Sequence, residues 1–245
     1  VNDRSLSMEI YFDIGQGVQK APTRPREGKG RQMTSIGDTR KKRKVDKDLH
    51  REVLLEAAAN VILRHGVSGA TISRIQEESG LSRGMINLHF QSKDNLIREL
   101  AKHMTREYNA AWQGFTSQAP EVVCTPDDAA ARLQALFETD FSEAVLNKRS
   151  ARLTFAFRAE PDLQAVGSGY IETRGTDLHD HVRSCCKVLC EACGTQGDPE
   201  KVTMAIMSLL EGLWTDFHAH PDEFSRENAV DVCRTTARAF FPGYF

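Results

Sequence analysis

The sequence predicts an all-α protein, and three observations carry that expectation. Apolar residues recur at helical spacing from Asp46 onward. No stretch shows the period-2 alternation of a half-buried strand, and no repeat unit is present. Pro126, Pro161, Pro199 and Pro221 punctuate the second half at intervals suited to helices. At 245 residues the chain has room for a sizeable core, as one large domain or as a small one joined to a larger one.

Residues 1–46 are rich in Gly, Pro, Arg, Lys and Ser and are expected to be a disordered basic extension, with Met8 and Met33 both open as starts. From Asp46, "DKDLHREVLLEAAANVILRHG" puts Leu49, Val53, Leu54, Ala57, Ala58, Val61 and Ile62 on one helix face, with Gly66 as the stop. Thr71 caps a second helix with Ile72 and Ile75 as its apolar face, ending at Ser79-Gly80, and Ser82 caps a third. Ser92 caps a long fourth helix carrying Leu96, Ile97, Leu100, Met104, Tyr108, Ala111 and Phe115; Asn95 holds the capping-box position where Glu or Gln is more usual. Further helices are expected at 127–147, 148–159, 162–194, 199–219 and 225–240.

The formal net charge of -2 is unremarkable, but its distribution is not. Lys20 to Arg51 holds twelve Lys and Arg against four Asp and Glu, an excess of eight positive charges, so the remainder is acidic. A basic segment joined to an acidic body is the asymmetry expected when one end meets a polyanion. With no apolar run near the about 20 residues that span a bilayer, and no export signal, a soluble cytoplasmic protein without membrane contact is expected. The six cysteines, Cys124, Cys185, Cys186, Cys190, Cys193 and Cys233, are accordingly expected to be reduced.

"ISRIQEESGLSRGMINLHFQSKDNL" contains two short amphipathic helices joined by a Gly-containing turn, the pattern of a helix-turn-helix over about residues 71–90. Ile72, Ile75, Leu81, Met85, Ile86 and Phe90 build its small core. A helix N-terminus offers N–H groups and a positive dipole end to phosphate, and a major groove admits one helix. Ser82, Arg83 and Gly84 occupy that end, Asn87 and His89 follow on later turns, and Thr71 and Lys93 flank the groove as phosphate clamps. "RKKRK" (Arg40, Lys41, Lys42, Arg43, Lys44) precedes the first helix as a flexible arm that neutralises phosphates or enters a minor groove, the alternative being a solvated charge run.

"TISRIQEESGLSRGMINLHFQSKDNLI", with "RHGVSGAT" and the helix before it, resembles the signature of the TetR family of bacterial repressors over about residues 48–100. The departure is Asn87, where that family usually has Tyr. The resemblance implies a three-helix DNA-binding head at 47–107 and a larger helical ligand-binding and dimerisation body at 108–245. It also implies a homodimer on double-stranded DNA, with recognition helices in successive major grooves about 34–36 Å apart on a near-palindromic operator. The resemblance further implies that repression is relieved when a small organic effector favours the conformation that does not fit DNA.

"MAIMSLLEGLWTDFHAHPDEFSRENAVDVCRTTARAFFPG" is similar to the body of the choline-responsive BetI branch of that family. Its last two helices would form a four-helix dimer seam, for which Met204, Met207, Leu210, Val232 and Phe240 are the candidates, the alternative being an ordinary protomer core. Phe155 and Trp214 are the candidate pocket aromatics, with Asp140 and Glu211 as possible counter-charges. A quaternary ammonium ligand would call for an aromatic cage. In "LHDHVRSCCKVLCEACG", Cys186, Cys190 and Cys193 share a helix face with His179 two turns back, which leaves open a metal- or thiol-redox-responsive regulator using the Cys185–Cys193 cluster. The other reading treats these cysteines as small apolar residues. No Gly-rich phosphate loop, nucleophile elbow or HExxH motif is present, so neither enzymatic activity nor a cofactor is expected.

Overall fold

Nine α-helices and no strand make up the described residues of the computed structural model, which are 36–116, 125–160, 177–194 and 198–245. In chain order they are α1 (Ile36–His65), α2 (Ile72–Ser79), α3 (Arg83–Phe90), α4 (Lys93–Thr116), α5 (Pro126–Asp140), α6 (Lys148–Arg158), α7 (Asp177–Cys193), α8 (Pro199–Ala219) and α9 (Arg226–Phe240). The all-α expectation is met. No helix among the described residues is long and apolar enough to cross a membrane.

Helix ends follow the local chemistry. Thr71 accepts from the Arg74 N–H at 3.3 Å to start α2, and Gly80 closes it at φ 67°, a left-handed conformation that costs glycine little. Ser92 accepts from the Asn95 N–H at 3.1 Å to start α4, while the Asn95 side-chain amide donates to the Phe90 carbonyl at 2.9 Å and ties that start to the end of α3. Thr125 with Asp128, and Asn147 with Ser150, form complete capping boxes on α5 and α6.

Two boundaries correct the sequence expectation, and a third lies partly outside the described residues. The backbone is already helical from Ile36, through Arg40, Lys41, Lys42, Arg43 and Lys44, where a disordered extension with a flexible arm was expected; lysine and arginine are good helix formers. The helix expected over 127–147 stops at Asp140, because the Ser142 hydroxyl donates to the Thr139 carbonyl at 2.7 Å and Asn147 caps the next helix. Of the helix expected over 162–194, residues 161–176 lie outside the described residues, as does Cys124, and α7 is described from Asp177.

Within the unit Lys44–Phe245, two apolar clusters form. The head cluster is built on α1–α4, around Leu54, Leu55, Ile62, Ile75, Ile86, Phe90 and Leu96, and it also takes in Leu153 and Phe157 from α6. The body cluster joins α5, α7, α8 and α9 around Leu133, Phe137, Phe141, Leu189, Ile206, Trp214 and Phe241. Tyr108 on α4 packs against both.

The α6 helix is also pinned to α1 by polar contacts. Arg149 donates to the Asn60 side chain and to Glu56, each at 2.7 Å, and Arg152 donates to the Leu63 carbonyl at 2.7 Å, near the end of α1. At its other end Arg158 forks onto Glu211 of α8 at 2.5 and 3.0 Å.

Candidate nucleic-acid interface

The turn between α2 and α3 fixes an inner and an outer face on α3. Ile86 and Phe90 are buried in the head core, whereas Ser82, Arg83, Gly84, Asn87 and Leu88 are exposed. Ser82 takes the N-cap position of α3, yet its hydroxyl makes no capping hydrogen bond, so the group at this helix start stays available. A Cβ placed on Gly84 would meet only the Ser82 Oγ, at 3.5 Å, so the backbone there lies open to close approach.

The frame behind this face is held by charge as well as packing. Arg51 of α1 donates to Glu99 of α4 at 2.7 Å and lies over the Phe90 ring at 4.9 Å. Arg64 of α1 pairs with Glu78 of α2. Gly69 makes the α1–α2 turn possible, since a Cβ there would fall 2.2 Å from the His65 carbonyl oxygen. Beyond α3, Gln91 takes a positive φ of 67° to turn the chain into α4.

The sequence-predicted contact residues are partly assembled. Ser82, Arg83, Gly84 and Asn87 share the outward side of α3, with Thr71 exposed at the start of α2. Lys93 is partly covered and lies 3.4 Å from Asp94. His89 departs from the expectation: its ring turns toward α1, 6.2 Å from His50 and edge-on to it, and its Nε2 is buried without a hydrogen-bond partner. Burial, then the nearby His50, Lys47 and Arg51 charges, lower its pKa and favour the uncharged ring. Leu88, which the sequence reading did not single out, stands exposed two residues after Ile86. At about 100° per residue that offset is a half-turn from the buried side, the signal by which it could have been found.

In the body, Trp214 is a core residue whose Nε1 donates to Asp140 at 2.9 Å, and Tyr108 donates to the same carboxylate at 2.8 Å. Burial raises the Asp140 pKa to about 6 against the lowering effect of those two donors. Phe155 is half-buried and stacks on His218 at 4.4 Å. Phe155 and Trp214 thus serve separate contacts, and neither lines the shallow groove between α5, α9 and Tyr244-Phe245.

The dimer candidates divide as well. Met207 and Leu210 are buried in the protomer's own core and Phe240 packs against it, because the inner stripe of α8 runs through Thr203, Ile206, Met207, Leu210, Trp214 and Phe217. Met204 and Val232 remain 56% and 43% exposed.

Among the described residues no group of three or more His, Cys, Asp or Glu side chains could hold a metal ion. Cys185, Cys186 and Cys190 are buried, and burial pushes the Cys185 and Cys186 thiols up to about 11 and about 12, away from the reactive thiolate.

A three-helix head with a capped turn, an apolar inner face and a free polar outer face on its third helix defines a helix-turn-helix DNA-binding regulator. Comparison with known proteins agrees. Residues 54–100 match the family model "Bacterial regulatory proteins, tetR family" and residues 129–242 match "BetI-type transcriptional repressor, C-terminal". The HTH-type transcriptional regulator BetI of Vibrio campbellii is 26% identical over 182 residues, 74% of this chain and 87% of that protein. The BetI regulator of Yersinia pestis is 22% identical over 186 residues, again with 74% and 87% covered.

Among solved structures, a transcriptional regulator of Pseudomonas aeruginosa PAO1 aligns with TM-score 0.66 and 26% identity, over 79% of this chain and 90% of that one. At 18% identity and TM-score 0.60, NalD, the secondary repressor of the MexAB-OprM multidrug efflux pump in Pseudomonas aeruginosa, shares the fold over 82% of this chain and 100% of its own. The chain belongs to the tetR family of bacterial transcriptional regulators, with a BetI-type C-terminal region.

Proposed function

We propose that this regulator is a homodimeric cytoplasmic repressor, which binds a near-palindromic operator through α3 and leaves it when a small organic effector occupies the body. The observation that carries this reading is the outward face of α3. Ser82 has a hydroxyl without a capping partner, and among the described residues the exposed Arg83 and Asn87 side chains make no hydrogen bond or ion pair that would hold them back from a groove. Hydroxyl and guanidinium suit phosphate or guanine, and a carboxamide suits adenine.

Support for the dimer comes from the exposed sides of α8 and α9. Met204, Ser208, Gly212 and Thr215 follow one another along α8, and Asn228, Val232, Thr235 and Ala239 along α9, all exposed. Two such rows of small and apolar residues let a second pair of helices approach closely. On this reading the seam keeps Met204 and Val232, and Ser208 and Gly212 take the places of Met207 and Leu210. Support for effector control comes from α6, whose Arg149 and Arg152 hold α1 while Arg158 holds α8. A ligand that favours another setting of α6 would shift the heads between DNA-fitting and non-fitting states.

Selection of bound sequences from random DNA, followed by quantitative binding, tests the reading. An enriched inverted repeat is expected, with affinity falling steeply as salt rises. Sedimentation should show a dimer that the Met204→Glu, Val232→Glu double variant converts to monomer with weakened operator binding. Absence of any enriched sequence at low salt contradicts the proposal.

A further inference from the structure

Leu88 is the most exposed of the large apolar side chains among the described residues, at 66%. It stands on α3, the helix that the preceding reading places in a major groove, and on the side opposite the buried Ile86 and Phe90. Its neighbours sharpen the meaning of that exposure. Gly84, four residues earlier, lies on the same face one turn toward the helix start and offers open space rather than a side chain. Asn87, beside it, is exposed with an amide that can address adenine. Among the described residues neither core cluster includes Leu88.

A leucine cannot bind phosphate and gains nothing from water. The major groove presents one apolar feature to such a side chain, the 5-methyl group of thymine. We propose that Leu88 reads sequence by packing its isobutyl group on the 5-methyl of a thymine in each operator half-site, with the bare backbone at Gly84 leaving room for the approach. Asn87 and Leu88 together then favour an A·T pair or neighbouring A·T pairs, the amide taking the adenine edge and the isobutyl group the thymine methyl. This proposal rests on α3 being the recognition helix.

The test uses the full chain and the operator selected from random DNA. Replacing thymines one at a time by deoxyuridine removes the methyl group and keeps every hydrogen-bonding group of the base. At one thymine per half-site the replacement is expected to weaken binding about three- to fivefold, the scale of one apolar methyl removed from water. Leu88→Ala should weaken binding to the thymine operator by a similar factor and abolish the difference between thymine and uracil at that position. Leu88→Met, which keeps an apolar reach, should retain the difference. A melting curve for Leu88→Ala that matches the parent rules out a folding defect, as expected for an exposed site.

Equal binding of thymine and uracil operators by the parent protein would overturn the proposal, and so would a difference that persists unchanged in Leu88→Ala. In those cases Arg83→Ala would still weaken operator binding, leaving the recognition-helix reading intact. Selection that enriches no sequence would remove that reading and this proposal together.

Discussion

The head and the body bury different chemistry. Among the described residues, the buried polar and charged side chains are Arg132, Thr139, Asp140, Thr154 and Thr203, on α5, α6 and α8; α1 to α4 contain none. The head is a mostly apolar frame, with the inward-turned His89 ring and the half-buried Arg51–Glu99 pair as its exceptions, which suits a part that must present Ser82, Arg83 and Asn87 in one fixed geometry. The body keeps a carboxylate in its interior, held by Tyr108 and Trp214, and buries the Cys233 thiol near it. Apolar packing gives rigidity, whereas a buried ionisable group makes the packing around it sensitive to whatever alters its charge or its donors.

The strongest challenge to this division is Phe157, which sits on α6 yet is fully buried in the head cluster. Phe157→Ala should cost about 3–5 kcal/mol of stability, read by denaturant titration, and should also weaken operator binding because the head loses part of its floor. Trp214→Phe removes one donor from Asp140 and is expected to cost about 1–3 kcal/mol, with α1 to α4 retaining their amide protection in hydrogen exchange. Loss of protection throughout the head would show that the two cores unfold as one.

Acidity acts within the body next. The folded-state pKa of Asp140, about 6, lies above the ordinary 3.8, so the folded protein takes up this proton first and gains stability from it as pH falls through 6 toward 3.8. His181 works in the opposite direction. Its value is lowered from 6.5 to about 4 by burial and by Arg132, so its contribution is present above pH 6.5 and is lost as pH falls toward 4. The stability of Asp140→Asn relative to the parent should therefore fall between pH 7 and pH 4.5, since only the parent gains the Asp140 proton. A flat difference would mean that the carboxylate is not held in the interior. Smallest of all is the expected response to oxidant: operator affinity should not change after mild peroxide, because Cys185, Cys186 and Cys233 are buried with thiols pushed up to about 11, about 12 and about 12, and the partly exposed Cys193 packs against the body cluster rather than the head.

The head was more legible in the sequence than the body, for physical reasons. Thr71, Gly80, Ser82 and Ser92 are local signals, and a three-helix core with one apolar face per helix leaves little choice of register. His89 escaped because its direction depends on a contact with His50, 39 residues away. On α8 nearly every position is apolar or small, so periodicity alone could not separate the inner stripe of Met207 and Leu210 from the outer row containing Met204. The Tyr108–Asp140–Trp214 cluster joins three helices, and nothing in the spacing of those residues announces it. Neither does spacing reveal that α6 belongs partly to the head, because Leu153 and Phe157 read as helix face whichever cluster they fill.

The account rests on the outward face of α3, and Arg83→Ala tests it most directly in a binding titration against the selected operator and an unrelated duplex at the same salt concentration. A loss of about 1–3 kcal/mol on the operator, with a smaller loss on the unrelated duplex, is expected if Arg83 reads a base edge from the start of α3. Unchanged affinity for both duplexes would place recognition elsewhere and contradict the account.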